Sequence, residues 1–233
     1  MESLAAEINL MLIDAKSGRP VVDNARCDFV TSAAVLRDLE AQRRIVVAAK
    51  GRLARSWTVR VASMRPVGDP VNDAALRNLV GRPRTIREIM YRYGYLWRRA
   101  ACNQLSHLGI VRYEPRRVSR LAFSERWRIV DPTAYGQLRA AVERAVLDEQ
   151  SPDDRITALV ALLHHAGALT RLFSDSKKEA KRRAADFAQR DWASDALRKA
   201  LDARRRTMVM LNPQTVSGAH RVHAGQSGDL VPE

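Results

Sequence analysis

The stretch from Arg82 to Val130 constrains the fold most, because it combines dense positive charge with an ordered succession of helix and strand patterns. Up to Arg128 it contains twelve arginines, no lysine and three acidic residues, so its local charge excess is 12 − 3 = +9. It also contains seven of the thirteen aromatic residues in the chain. Positive charge interleaved with aromatic rings is typical of a surface that binds an anionic partner.

This stretch predicts two helices followed by a β-hairpin. Helical periodicity covers residues 85–93 and 96–108, and we expect Gly94 to interrupt it. At about 100° per residue, Arg98 flanks the apolar face of the second helix and Arg99 points away from it. That apolar face consists of Trp97, Ala101, Leu105 and Leu108.

Residues 110–113 and 118–129 predict the two strands of the hairpin. The returning strand has a period of two, which gives it an apolar side and a cationic side. Two interpretations stay open: the apolar side packs on the core, or its tip between Arg116 and Phe123 contacts an external partner. The apolar side comprises Leu121, Phe123, Trp127 and Ile129, and the cationic side comprises Arg120, Arg126 and Arg128.

Caps and apolar stripes along the rest of the chain predict one compact, mainly α-helical domain over residues 1–210, with a disordered tail over 211–233. A projecting basic and hydrophobic hairpin and a second small hairpin, built from residues 45–47 and 57–61, complete this domain. Along the rest of the chain, predicted helices cover residues 4–14, 27–42, 176–189 and 193–205. Three more begin at Asp69-Pro70, Asp131-Pro132 and Ser151-Pro152.

The composition favours a globular protein with an anionic partner. The net charge is +14, and hydrophobic residues make up 46% of the chain, enough for a sizeable core. Cys27 and Cys102 are too few for a disulfide framework, so we expect reduced core thiols. Glu2 and Glu7 stand where a secretory signal would be basic. The longest apolar run, 156–173, contains polar residues and predicts two short helices joined at Gly167 rather than a membrane span.

Motifs for catalysis, metal binding and phosphate-loop binding are missing from the sequence. It contains no GxxxxGK, GxGxxG, GxSxG or HExxH segment. His164 and His165 diverge by about 100° on a helix, so we expect one to face the core and the other to face solvent. A Cys102–His107 dyad is disfavoured relative to a core thiol and a surface imidazole. We therefore predict a binding protein rather than an enzyme, with no cofactor and no metal.

Several segments, in this order, resemble the Golgi phosphoprotein 3 family, particularly its bacterial members. They extend over residues 4–202 and include EINLMLIDAKSGRPVVD, AAVLRDLEAQRRI, PVGDPVNDAAL, LSHLGIVRYE, DDRITALVALLHHAG and RDWASDALRKALDA. The resemblance implies a mainly helical domain that associates peripherally with the cytoplasmic face of a membrane. In eukaryotic members it implies binding of phosphatidylinositol 4-phosphate and of the cytoplasmic tails of Golgi glycosyltransferases.

The resemblance also implies which residues contact the lipid and a second copy. Of four lipid-pocket positions in the family, one arginine matches Arg98, and the others fall near Tyr95, Asp23 and Ser32. We expect an anionic phospholipid surface to be contacted by Tyr95, Arg98, Arg99, Arg116, Arg117 and Arg120. The family hairpin corresponds to residues 114–125, where membrane contact or homo-oligomerisation would use Val118, Leu121 and Phe123.

A winged-helix DNA-binding protein is the alternative interpretation of residues 82–130. Two helices followed by an arginine-rich hairpin also outline that motif. Arg98, Arg99 and Asn103 would then face the groove, and Arg116 and Arg117 would lie on the wing. This alternative explains fewer than fifty residues, whereas the family resemblance extends over most of the chain, so a membrane partner is favoured over nucleic acid.

Overall fold

The first helix, α1 (Leu4–Met11), is buried along its whole length. Ser3 caps it as the sequence predicts, because the Ser3 hydroxyl accepts a hydrogen bond from the Ala6 N–H at 3.1 Å. The helix ends at Met11 rather than near residue 14. The chain then turns back on itself, and Ile13 forms an antiparallel bridge with Pro20.

The computed structural model describes residues 3–50, 56–117, 123–147, 152–173 and 177–211. Buried side chains from helices throughout these residues form one apolar cluster, which confirms the predicted mainly α-helical domain. No helix in this described part of the chain is long and apolar enough to cross a bilayer. Of the predicted disordered tail, residues 211–233, Leu211 ends the last helix and residues 212–233 lie outside the described part.

Helices α2 (Asn24–Ala41) and α4 (Ile86–His107) cross closely at Gly94. The predicted interruption at Gly94 is wrong, because α4 runs through this residue without a break. A Cβ atom at position 94 would lie 2.8 Å from the Asp28 carbonyl oxygen of α2. Gly94 therefore permits a close approach between two helices rather than ending one.

Within the described residues, two antiparallel sheets and a short strand pair connect the helices. Strands β1 (Ile45–Lys50) and β2 (Ser56–Val61) form the predicted second hairpin. Strand β3 (Arg84–Thr85), which follows α3 (Pro70–Leu79) in the chain, pairs with β2 as the third strand of this sheet. Strand β4 (Val111–Tyr113) pairs with β7 (Trp127–Ile129) at the base of the projecting hairpin. Further out, β5 (Arg116–Arg117) pairs with β6 (Phe123–Ser124). The tip, residues 118–122, lies outside the described residues.

The C-terminal half consists of helices whose ends follow local sequence signals. Asp131 accepts hydrogen bonds from the N–H groups of Thr133 and Ala134, as predicted. The next helix begins two residues after Pro152, with Asp153 as its cap. Gly167 ends that helix at φ 75°, as its predicted joining role requires. The helices are α5 (Pro132–Leu147), α6 (Asp154–Ala166), α7 (Leu169–Leu172), α8 (Lys177–Gln189) and α9 (Trp192–Leu211).

The prediction of buried free thiols is confirmed, whereas the prediction for the adjacent histidines is not. Cys27 and Cys102 are buried free thiols, and burial raises the pKa of each to about 12. The prediction that one of His164 and His165 faces the core and the other solvent is wrong, because both are half-buried. His164 faces α8 beside Lys181, and His165 faces both α8 and α9. Burial lowers the pKa of His165 to about 4.

Candidate functional site

The outer face of α4 exposes apolar and aromatic side chains beside arginines. Tyr91, Tyr95 and Leu96 are 58%, 45% and 55% exposed, respectively. Arg92 and Arg99 are exposed on the same helix. The opposite side of α4 carries the buried apolar stripe, so helical periodicity leaves this face turned to solvent. An exposed group of aromatic, aliphatic and cationic side chains suits an interface between water and an apolar phase.

Arg98 lies between this outer face and the core, where it links three parts of the fold. It is only 5% exposed. Its Nε atom donates to Asp28 Oδ1 of α2 at 2.6 Å, and its Nη2 atom lies 3.1 Å from Glu125 Oε2. Glu125 directly follows β6 in the projecting hairpin. Arg98 therefore joins α4 to both α2 and the hairpin.

Burial and ion pairing act in opposite directions on the Arg98 network. Burial raises the pKa of Asp28, although the charge and hydrogen bond of Arg98 act to lower it. Burial also disfavours the charge on Arg98, but Asp28 and Glu125 outweigh that effect and raise the pKa of Arg98. Arg98 is therefore a charged group whose two carboxylate partners are already in place.

Tyr95 and Arg99 surround the same glutamate from the solvent side. An Arg99 Nη1 atom donates to the Tyr95 hydroxyl at 3.1 Å, and it lies 3.7 Å from Glu125 Oε1. The Arg98 guanidinium lies 5.7 Å from the centre of the Tyr95 ring. The structure thus brings together three predicted site residues, Tyr95, Arg98 and Arg99. Asp28 and Glu125 balance the two positive charges of this cluster.

The two other positions that fall near family lipid-pocket residues have structural contacts. Asp23 is the N-cap of α2: its side chain accepts from the Arg26 N–H at 3.1 Å and pairs with Arg204 at 3.4 Å. Ser32 is fully buried, and its hydroxyl donates to the Asp28 carbonyl oxygen at 2.9 Å. Neither residue adds positive charge to the Arg98 cluster.

The base of the hairpin is anchored to the body of the protein. Trp127 is 6% exposed, as the core-packing interpretation predicts, and its ring centre lies 4.9 Å from that of Tyr113. The Trp127 N–H donates to the Gly18 carbonyl oxygen at 3.0 Å. On the cationic side, Arg112 is paired in register with Arg128, and both are exposed.

Further out, the structure defines only the backbone pairing of Arg116 with Ser124 and of Arg117 with Phe123. Val118, Arg120 and Leu121 lie outside the described residues. The predicted contacts of the hairpin with lipid or with a second copy therefore stay predictions.

Sequence reasoning missed the acidic partners and part of the exposed helix face. Asp28 and Glu125 lie 70 residues before and 27 residues after Arg98, so no local pattern pairs them with it. Helical spacing could have identified Tyr91 as part of this face. One uninterrupted helix through Gly94 places Tyr91, Tyr95 and Arg99 at successive steps of four residues, and Leu96 directly follows Tyr95.

The family model described as Golgi phosphoprotein 3 (GPP34) matches residues 4–204, which is most of the chain. A comparison with curated protein sequences gives no match.

Proposed function

Because the chain belongs to the Golgi phosphoprotein 3 (GPP34) family, we propose that it is a peripheral membrane protein that binds anionic phospholipid. The contact surface is the outer face of α4 together with the projecting hairpin. The family is not known as an enzyme family, which is consistent with a binding role. The protein associates with the cytoplasmic surface of a membrane without spanning it.

The observation that carries this proposal is the exposed group Tyr91, Tyr95 and Leu96 beside Arg92 and Arg99. Each basic residue near an anionic bilayer contributes about 1 kcal/mol. A buried leucine side chain adds ~1.5–3 kcal/mol when it is fully transferred from water, and less when it is partly inserted. The two contributions are modest, so binding is reversible and depends on salt.

The headgroup contact in this proposal is made by exposed arginines rather than by Arg98. Arg98 is buried and already paired with Asp28 and Glu125. A phosphate would have to displace one of these carboxylates to reach it. This arrangement favours a general contact with anionic lipid over a dedicated pocket for phosphatidylinositol 4-phosphate. The exposed contacts are Arg92, Arg99, Arg112 and, in the hairpin, the predicted Arg116, Arg117 and Arg120.

The hairpin extends the same surface in the proposal. Val118, Leu121 and Phe123 insert among the lipid acyl chains or bind the equivalent residues of a second copy. A second copy doubles the number of lipid contacts and strengthens binding through multivalency. Sedimentation velocity with Leu121→Ser and Phe123→Ser separates these two roles, because only loss of self-association lowers the molecular mass.

The winged-helix alternative has less support. It requires two helices separated by a turn, whereas α4 is one 22-residue helix. It also requires Arg98 to reach a DNA groove, whereas Arg98 is buried against α2. Duplex DNA therefore serves as the competitor in the experiment rather than as the proposed ligand.

Vesicle co-sedimentation tests the proposal with two matched pairs of variants. Leu96→Ser is compared with Val80→Ser, because the two residues are 55% and 52% exposed. Arg92→Glu is compared with Arg77→Glu, because both arginines are exposed and lie on different helices. Vesicles contain phosphatidylcholine alone or with phosphatidylserine, and binding is measured across a salt series with and without duplex DNA.

The variants on α4 should weaken binding, whereas the controls at Arg77 on α3 and at Val80, directly after α3, should not. Arg92→Glu should reduce affinity about thirtyfold at low salt. It removes an attraction of about 1 kcal/mol and adds a repulsion of about the same size, about 2 kcal/mol together. Screening should shrink this effect at high salt. Leu96→Ser should reduce affinity about fivefold at every salt concentration. Equal losses in the Arg77 and Val80 controls, or duplex DNA that displaces all vesicle binding at matched salt, would contradict the proposal.

A further inference from the structure

A second candidate site lies away from the Arg98 cluster, between β2, the start of α4 and α9. It is a cavity of about 530 Å³. This volume lies within the range of clefts that hold small organic ligands. Arg87, which lines it, precedes Arg98 by eleven residues on α4, and the helix rise separates the two by about 16 Å.

The cavity exists because α9 presents small side chains to it. Ala196, Ala200 and Ala203 recur at steps of four and three residues and therefore lie along one side of the helix. Trp57, which also lines the cavity, is held in place. Its indole N–H donates to Asp195 Oδ2 at 3.0 Å, and its ring lies 6.2 Å from that of Trp192. The cavity lining thus combines a positioned aromatic ring with a row of methyl groups.

The polar lining is cationic. Arg87, Lys199 and Arg206 contribute three positive charges from two helices, and none of the lining residues is acidic. The Lys199 ammonium lies 2.7 Å from Asp195 and so is partly compensated. Within the described residues, no carboxylate lies within 4.0 Å of Arg87 or Arg206. The first turn of α4 adds the positive end of a helix dipole to the same side.

We propose that this cavity binds a phosphorylated small molecule with an aromatic or aliphatic portion. The phosphate lies between Arg87 and Arg206, whose planar guanidinium groups suit bidentate contacts to phosphate oxygens. The apolar portion packs on Trp57 and on the alanines of α9. The ligand is either a free phosphate ester or the headgroup of a phospholipid, since both offer the same chemistry to these side chains.

Isothermal titration calorimetry on the full chain tests the site with phenyl phosphate, inorganic phosphate and phenol as probes. Phenyl phosphate should bind more tightly than either of the others, because only it fills both parts of the cavity. Arg206→Gln and Arg87→Gln should each weaken its binding about tenfold, the effect expected for one charge-assisted hydrogen bond. Arg205→Gln is the matched control, since Arg205 is an exposed neighbour that does not line the cavity, and it should change affinity less than twofold.

A second measurement locates the probe. The indole N–H resonance of Trp57 should shift on titration with phenyl phosphate, and Ala203→Leu, which narrows the cavity, should abolish the shift. Undetectable binding of phenyl phosphate, equal weakening by Arg205→Gln, or binding that Ala203→Leu leaves intact in the folded protein would overturn the proposal.

The source of the phosphate is distinguished by two further probes. Dihexanoyl phosphatidic acid in its monomeric form should compete with phenyl phosphate if a phospholipid headgroup fits, and adenosine monophosphate should compete if a free phosphate ester fits. Leu96→Ser, which lies outside the cavity, should leave phenyl phosphate affinity unchanged while it weakens vesicle binding. Failure of the cavity site is therefore separable from failure of the membrane proposal.

Discussion

Gly94→Ala tests the close crossing of α2 and α4 on which the position of Arg98 depends. The new methyl group would lie 2.8 Å from the Asp28 carbonyl oxygen and 3.0 Å from the Asp28 Cβ atom. Ordinary van der Waals contacts of a Cβ atom begin near 3.4 Å. Because the nearest atom belongs to the backbone of another helix, a rotamer change cannot relieve the clash, and α2 must move away from α4.

Two opposing contributions decide the free energy of unfolding of this variant. Replacing glycine by alanine inside a helix stabilises it by about 1 kcal/mol. Overpacking a tight contact destabilises the fold by ~1–3 kcal/mol. We expect the steric contribution to win by up to about 2 kcal/mol. Separation of the helices should also lengthen the 2.6 Å contact between Arg98 and Asp28.

Gly136→Ala is the matched control for the helix propensity contribution. Gly136 lies within α5, and an added Cβ atom there would meet nothing within 4 Å. This variant should therefore stabilise the protein by up to about 1 kcal/mol. Urea denaturation followed by circular dichroism measures both variants. If Gly94→Ala stabilises the protein as much as Gly136→Ala does, the close crossing of α2 and α4 is incorrect.

The remaining predictions concern buried charges. Arg98→Gln should lower the free energy of unfolding by ~3–5 kcal/mol, because it leaves Asp28 without its cation and Glu125 with only Arg99. Adding Asp28→Asn should recover part of this loss in a double-mutant cycle, and simple additivity would argue against the network. Burial raises the pKa of Asp38 from 3.8 to about 6, so its contribution to the free energy of unfolding is largest below pH 3.8 and declines as the pH rises through 6. Asp38→Asn keeps an acceptor for the Leu4 N–H. It should remove a pH-dependent decline of up to about 3 kcal/mol in the free energy of unfolding, so that the urea midpoint changes less between pH 4.5 and 7.5. A pH profile identical to that of the unmodified protein would contradict this prediction.

Several features were determined by the sequence alone, because their physics is local. Asp69 before Pro70 begins α3, and its side chain accepts from the Asn72 N–H at 2.9 Å. Gly167 ends α6 because a left-handed backbone conformation suits glycine. The alternation of apolar residues likewise placed Trp127 on the core side of the hairpin. Each of these signals requires only a few neighbouring residues.

The roles of Gly94 and Arg98 were decided only by the tertiary structure. A glycine within a helical pattern is compatible with a helix end or with a close approach, and the backbone of Asp28 decides between them. Periodicity placed Arg98 beside the apolar face, but its burial depends on two carboxylates that are distant in the sequence. The cationic cavity likewise requires side chains from β2, α4 and α9 to meet. Local patterns determine where elements begin and end, whereas the partners of a buried charge depend on which elements pack together.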